Sequence, residues 1–245
     1  MEINTALAIG IGIGIGVLAT LAAVFLPQFL PQAPHEIRAH PCASDPSESE
    51  ITLPPPSHSG LSVEEAISSR RSVRSYSDSG ITLSELSQLL WAAQGITGEG
   101  GLRSAPSAGA LYPIDIYIYP NRVEGASCGI YRYVPDGHRL VLAREGDFSD
   151  ALCQASFGQR PVCDAAAVFI FAAKRGRVAQ KYGESSDAFI AMEAGHISQN
   201  VLLESVSLGL GAVPVGAFSR ESVDRLLGIN GGGESSIYIN CVGRP

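Results

Sequence analysis

Three arginines and a serine fall within the five residues Arg70-Arg71-Ser72-Val73-Arg74. Guanidinium forks match phosphate oxygens two bonds at a time, so the segment is a candidate phosphate clamp. Basic residues near a helix C-terminus are also favoured by the helix dipole, so the cluster does not decide the matter alone. Two loops made of small residues add to it: Arg103-Ser104-Ala105-Pro106-Ser107-Ala108-Gly109-Ala110-Leu111-Tyr112-Pro113 and Gly209-Leu210-Gly211-Ala212-Val213-Pro214-Val215-Gly216. Small side chains let backbone N–H and C=O groups approach a flat ligand closely. A surface loop is more often polar, so two apolar ones suggest a pocket for something planar, with tight loop packing as the competing reading.

Other arrangements fall away on inspection. Glu193-x-x-His196 has the i,i+3 spacing of a carboxylate-bridged di-iron helix, but that site needs a second copy and two further Glu on other helices. No metal site is therefore expected; Glu193, His196 and Asn200 are expected to make buried hydrogen bonds along one helix. Ser107 lacks a GxSxG elbow, which removes a hydrolase triad.

The elements that must position these residues are legible. Ser62 with Glu65 and Thr82 with Glu85 have capping-box spacing. The first opens a helix to about Arg70, the second an amphipathic run through Leu86, Leu89, Leu90 and Trp91. Ile114, Ile116 and Ile118 alternate with Asp115, Tyr117 and Tyr119 as a strand. Ile130–Val134 and Arg139–Ala143 flank Pro135-Asp136-Gly137 as a hairpin. Ala166–Ala173 reads as a buried strand, Ser185–Leu208 as a long helix, Ser219–Leu227 as a short one and Ile237–Val242 as a last strand. Strands and helices without regular βαβ alternation indicate α+β.

The chain has 245 residues, 45% hydrophobic and 17% charged, with net charge −7. An acidic balance with few cations argues against nucleic acid. Ala6–Leu26 carries no charge and reaches about 30 Å as a helix, the thickness of a bilayer core. No basic residue precedes it, which favours a single-pass anchor over a cleaved signal. Arg38, the nearest cation, places the following domain in the cytoplasm on the positive-inside trend. Residues 1–30 are thus read as anchor, 31–60 as a Pro/Ser-rich tether, and 61–245 as the folded domain. The five cysteines show no CxxC and no His-paired spacing. Ordinary thiols are expected, with one Cys153–Cys163 bridge as the alternative.

Taken together, Arg70-Arg71-Ser72-Val73-Arg74, Ser104 through Pro113, and Glu193-Ala194-Gly195-His196 running through Gln199-Asn200 to Val213-Pro214-Val215-Gly216-Ala217-Phe218 resemble the nitroreductase-like FMN oxidoreductase superfamily. Within it they look most like the SagB-type dehydrogenases, which include thiazole/oxazole-forming oxidases. The resemblance runs from about Leu61 to Arg244. It implies a nitroreductase-like α+β fold, a central mostly antiparallel sheet flanked by helices, and a homodimer with FMN at the interface. Arg70, Arg71, Ser72 and Arg74 would hold the flavin phosphate and ring edge, with Arg244 adding to the phosphate site. Pro106, Ser107 and Ala108 would meet the flavin from the partner subunit. Pro214, Val215 and Gly216 would lie against the isoalloxazine. Lys181-Tyr182 matches the acid/base pair of the azoline oxidases; the competing reading is a solvated Lys beside a packed Tyr.

The function implied is FMN-dependent transfer of hydride or electron pairs from NADH or NADPH to an organic acceptor, a small molecule or a peptide. Oxidation of azolines in a modified peptide and a non-catalytic flavin-binding module are the alternatives. A structural membrane adaptor would carry no flavin.

Overall fold

The computed structural model describes residues 49–229 and 233–245. The expected membrane span and most of the expected tether lie outside these residues. Among the described residues, no helix is long and apolar enough to cross a membrane.

Both capping boxes form. In α1 (Val63–Ser69) the Glu65 backbone N–H donates to Ser62 Oγ while Glu65 accepts from Ser62 N. In α2 (Leu83–Gln94) Thr82 and Glu85 do the same. Each box satisfies N–H groups that a helix start leaves without partners.

The centre is a seven-stranded sheet built from β1 (Glu50–Thr52), β5 (Ile114–Tyr119), β7 (Gly129–Val134), β8 (Arg139–Glu145), β9 (Ala167–Lys174), β10 (Gly211–Val215) and β11 (Glu234–Gly243), in the order β1-β8-β7-β5-β9-β11-β10. Every neighbouring pair is antiparallel. The short strands β2 (Ile81–Thr82) and β6 (Val123–Glu124) pair with each other, as do β3 (Ile96–Gly98) and β4 (Leu102–Arg103).

Strand alternation sends β5 and β9 to two cores. Ile114, Ile116, Ile118, Phe169 and Phe171 pack with Leu86, Leu89 and Leu90 of α2 and with Ile190, Ile197 and Val201 of the long helix α6 (Ser186–Ser207). Tyr117, Val168 and Ile170 face the other way, against Leu152 of α3 (Ser149–Ala155), Val162 of α4 (Arg160–Cys163), and Val223 and Leu227 of α7 (Arg220–Leu227). Burial on both faces is why Ala166–Ala173 reads as an unbroken apolar run.

The structure revises two expectations. Residues 50–52 fall inside the expected tether yet form an edge strand, register Ile51 to Leu140. Ile51 and Leu53 are buried, and Gln88 binds both the N–H and the C=O of Ser57. The folded unit therefore begins before Leu61; two apolar side chains among prolines and serines sufficed to dock the segment. The cysteines are not all ordinary thiols either. Cys153 and Cys163 form a disulfide, the alternative pairing, with Cα atoms 4.7 Å apart. Cys128 is disulfide-bonded as well. Cys241 remains a buried thiol, and burial drives its pKa upward.

Candidate active site

The arginine cluster begins where α1 ends and runs beside an edge strand. Ser72 bridges in parallel to Ala212 of β10, and the Val73 N–H donates to the Ala212 carbonyl at 3.1 Å. A Cβ on Gly211 would come within 2.6 Å of the Val73 side chain, so glycine is what lets the two backbones meet. Among the described residues Arg70, Arg71 and Arg74 have no carboxylate partner. Arg71 donates to the carbonyls of Ser68 and Arg70, and Arg74 to that of Ser72. Most of their N–H groups are free to receive a phosphate. Arg244 is placed differently: its Nη2 donates to both oxygens of Glu85 at 2.8 and 2.9 Å, and its Nε to the Gly80 carbonyl. It braces the start of α2.

β10 continues from Ala212 to Pro214 and Val215, then to exposed Gly216. Ala212 and Gly216 are four residues apart, about 13 Å along an extended chain. A Cβ on Gly216 would lie 3.8 Å from the Tyr238 ring. Tyr238 lines a cavity of about 750 Å³ together with Ala191, Ala194 and Gly195 of α6, Ile237, and Arg220 at the start of α7. That volume is in the range of cofactor pockets, and its α6 wall combines these three small residues with Asp187 and Ile190. Uncommitted guanidinium groups, a glycine-ended strand and an adjacent cavity of this size fit a planar ligand with a phosphate tail.

The second small-residue loop sits against a different group. Ser107 Oγ accepts from the Tyr112 N–H at 2.9 Å and is hydrogen-bonded to Glu193 of α6. Burial raises the Glu193 pKa, and hydrogen bonds from Ser107 and Gln94 oppose that rise. The Arg103 guanidinium donates to Gln94 and lies 4.3 Å over the Tyr112 ring. Lys181 and Tyr182 end α5 (Arg175–Tyr182). A Cβ on Gly109 would lie 2.6 Å from Lys181 Nζ and 2.9 Å from the Tyr182 hydroxyl, so both reach the loop. Lys181 is exposed, and Tyr182 packs edge-on to Phe189.

The candidate residues thus form two groups in one chain. Arg70, Arg71, Ser72 and Arg74 join Pro214, Val215 and Gly216 through β10, while Pro106, Ser107 and Ala108 join Lys181 and Tyr182. The expected polar row on α6 holds only in part. Glu193 is buried and Asn200 donates to the Ala92 carbonyl, but His196 is exposed. At about 100° per residue, position 196 lies about 60° from 193 and about 40° from 200, so the three share one broad face and His196 takes its exposed edge. Tyr238 and Arg220 were not anticipated; both lie outside the motifs and reach the cavity only through the fold.

A family model described as the nitroreductase family matches residues 67–244. A Methanocaldococcus jannaschii protein, provisionally named a nitroreductase, is 39% identical over 184 residues, covering 75% of this chain and 91% of that one. The crystal structure of a protein from Ralstonia eutropha, also provisionally named a nitroreductase, superposes with a TM-score of 0.73 at 31% identity, covering 88% of this chain and 98% of that one. The NADPH:FMN oxidoreductase of Vibrio harveyi shares the fold at a TM-score of 0.52 and 23% identity, over 74% of this chain and 68% of that one. With the family model covering most of the folded domain and a close relative matched nearly end to end, the chain belongs to the nitroreductase family of oxidoreductases.

Proposed function

We propose that the chain is an FMN-dependent oxidoreductase that passes hydride or electron pairs from NADH or NADPH to an organic acceptor. The observation that carries this reading is the continuity from the arginine cluster through β10 to Gly216 and the adjacent cavity. Bound there, FMN would supply the two-electron chemistry, and the protein supplies binding and orientation. Arg70, Arg71 and Arg74 would hold the phosphate as charge-assisted donors, with Ser72 between them. Pro214, Val215 and Gly216 would lie along the ring, and the small side chains of α6 would leave room for it. The name of the Vibrio harveyi neighbour, an NADPH:FMN oxidoreductase, supports the same cofactor and donor.

The second reading, oxidation of an azoline in a modified peptide, is favoured by Lys181 and Tyr182 converging on Gly109. A lysine beside a tyrosine can take or give a proton at a bound substrate. Under either reading Pro106, Ser107 and Ala108 serve the flavin of a second subunit. The large apolar side chains left exposed on α1 and α6, Val63, Ile67 and Met192, support a homodimer.

We read Ala6–Leu26 as a single-pass anchor. Arg38 argues for a cytoplasmic domain, whereas the Cys153–Cys163 bridge argues for an oxidising compartment. Thiol labelling of intact and opened cells separates the two. The function is tested by photometric turnover of FMN-loaded protein with NADH or NADPH and a quinone or nitroaromatic acceptor. Turnover that Arg71→Ala abolishes and excess FMN restores supports the oxidoreductase. Bound flavin without turnover of any acceptor points to a non-catalytic flavin module.

A further inference from the structure

β5 and β7 are neighbours in the sheet, yet they pair only at Tyr117–Arg132 and Ile118–Tyr131. Toward Ile114 on one strand and Val134 on the other the ladder stops, and a cavity of about 220 Å³ opens between them. Four cations line it (Arg103, Arg132, Lys174 and Arg177) against two carboxylates, Asp115 and Asp136. Lys174 holds Asp115 in an ion pair, and Arg177 stands 3.9 Å from the same carboxylate while donating to the Tyr112 carbonyl. Asp136 is exposed at the rim. The Arg132 guanidinium has no hydrogen-bonding or ion-pair partner among the described residues, although its backbone pairs within the sheet.

Arg103 is the informative member. Its side chain is partly buried, and its one side-chain hydrogen bond among the described residues goes to a neutral amide, that of Gln94. Burial of this cation is costly and lowers its pKa; the nearby charges of Asp115 and Glu193 oppose that fall, but neither makes an ion pair with it among the described residues. Glu193, the nearby acid, is hydrogen-bonded to Ser107 and Gln94, and burial raises its pKa against the opposing pull of those bonds and of the Arg103 charge. Lys174 is paired with Asp115 and Glu234 and Arg177 stands near Asp115, so an anion in the cavity would give Arg103 and Arg132 the direct ion pair that the described carboxylates do not supply.

We propose that this cavity is an anion subsite, in which Arg103, Arg132 and Arg177 hold a carboxylate or phosphate of the organic substrate. Arg177 and Lys181 are four residues apart on α5 and so share a face, about one helical turn from each other. An oxyanion anchored at Arg177 therefore orients the rest of its molecule toward Lys181, Tyr182 and the Ser107–Tyr112 loop. The assignment of the anion to a substrate rests on the oxidoreductase reading; the anion site itself does not.

The test is isothermal titration of the full chain with benzoate and with phenyl phosphate, at low salt, with and without saturating FMN. At least one probe is expected to bind, and which one does so identifies the oxyanion. Arg132→Gln and Arg177→Gln should each weaken that probe about ten-fold or more, the loss of one charge-assisted contact. Arg71→Ala should leave its affinity unchanged. Circular dichroism confirms that each variant is folded. Failure of both probes to bind would overturn the proposal. So would wild-type affinity in Arg132→Gln, or weakening that follows Arg71→Ala, which would put the anion in the flavin clamp. Because no step requires turnover, a protein that proves not to use flavin still gives a decisive titration.

Discussion

Two arginines that the sequence assigns to one phosphate site should respond in opposite ways to removal. Arg71 is exposed and donates only to the carbonyls of Ser68 and Arg70 in its own chain segment. Substitution by Ala should change stability by no more than about 0.5 kcal/mol, as at other surface positions. If Arg71 grips the flavin phosphate, the same change removes a charge-assisted hydrogen bond worth about 1.5–3 kcal/mol, or roughly 10- to 150-fold in Kd for FMN. Arg244 makes a bidentate pair with Glu85, and Glu85 also closes the capping box on Thr82. Its side chain is 36% exposed and that of Glu85 18%, so the pair lies between surface and buried cases. Arg244→Ala should cost about 1–2 kcal/mol, lowering Tm by about 2–8 °C in a domain of this size, with a smaller effect on FMN affinity than Arg71→Ala. Thermal unfolding of the apo variants and fluorescence titration with FMN give both numbers. The reasoning is refuted if Arg71→Ala unfolds early while binding FMN normally, or if Arg244→Ala keeps its Tm and loses FMN.

Three further outcomes follow from the same geometry. Burial raises the Glu193 pKa, so the fold binds the proton more tightly than the unfolded chain does. That stabilisation is complete below the ordinary carboxylate pKa and is lost as pH rises through the raised value. Glu193→Gln should therefore flatten the fall of Tm with rising pH, in part only because Glu204 is shifted the same way by burial; an unchanged Tm–pH profile would contradict it. Gly109 has φ of +63°, and a Cβ there meets Lys181 Nζ and the Tyr182 hydroxyl; Gly109→Ala should depress kcat at least ten-fold with FMN still bound if that pair works at the reacting end of the substrate, and wild-type kcat would remove the pair from catalysis. Joint replacement of Cys153 and Cys163 by Ala should cost about 2–4 kcal/mol in chemical denaturation; reductant, which also opens the Cys128 bridge, should destabilise the native chain more than it does this variant, and an equal effect on both would show that the Cys153–Cys163 bridge does not form in solution.

How much could be read in advance divides along the range of the interactions. Both capping boxes, the Ile114–Ile118 alternation and the buried strand through Phe169 and Phe171 were legible because each is set by neighbours a few residues away. β1 was not: Ile51 and Leu53 sit among prolines and serines, and only the distant edge of β8 gives them a surface. The Tyr133–His138–Ser87 chain that ties the Pro54 carbonyl to α2 is equally invisible locally, since it joins residues from three elements. The arginine cluster and both small-residue loops were found by composition. Their separation into two groups depends on which strand each follows. The ion pair of Arg244 with Glu85 was likewise not legible, because the two stand 159 positions apart.

The central claim is that this chain binds FMN along β10. The most direct measurement is the visible spectrum of the purified full chain, followed by heat release and identification of any flavin in the supernatant. The account predicts bands near ~370 and ~450 nm, from the flavin chromophore itself, with FMN released and with the colour lost in the Arg70→Ala, Arg71→Ala, Arg74→Ala triple variant. A colourless protein that also fails to take up added FMN would contradict it.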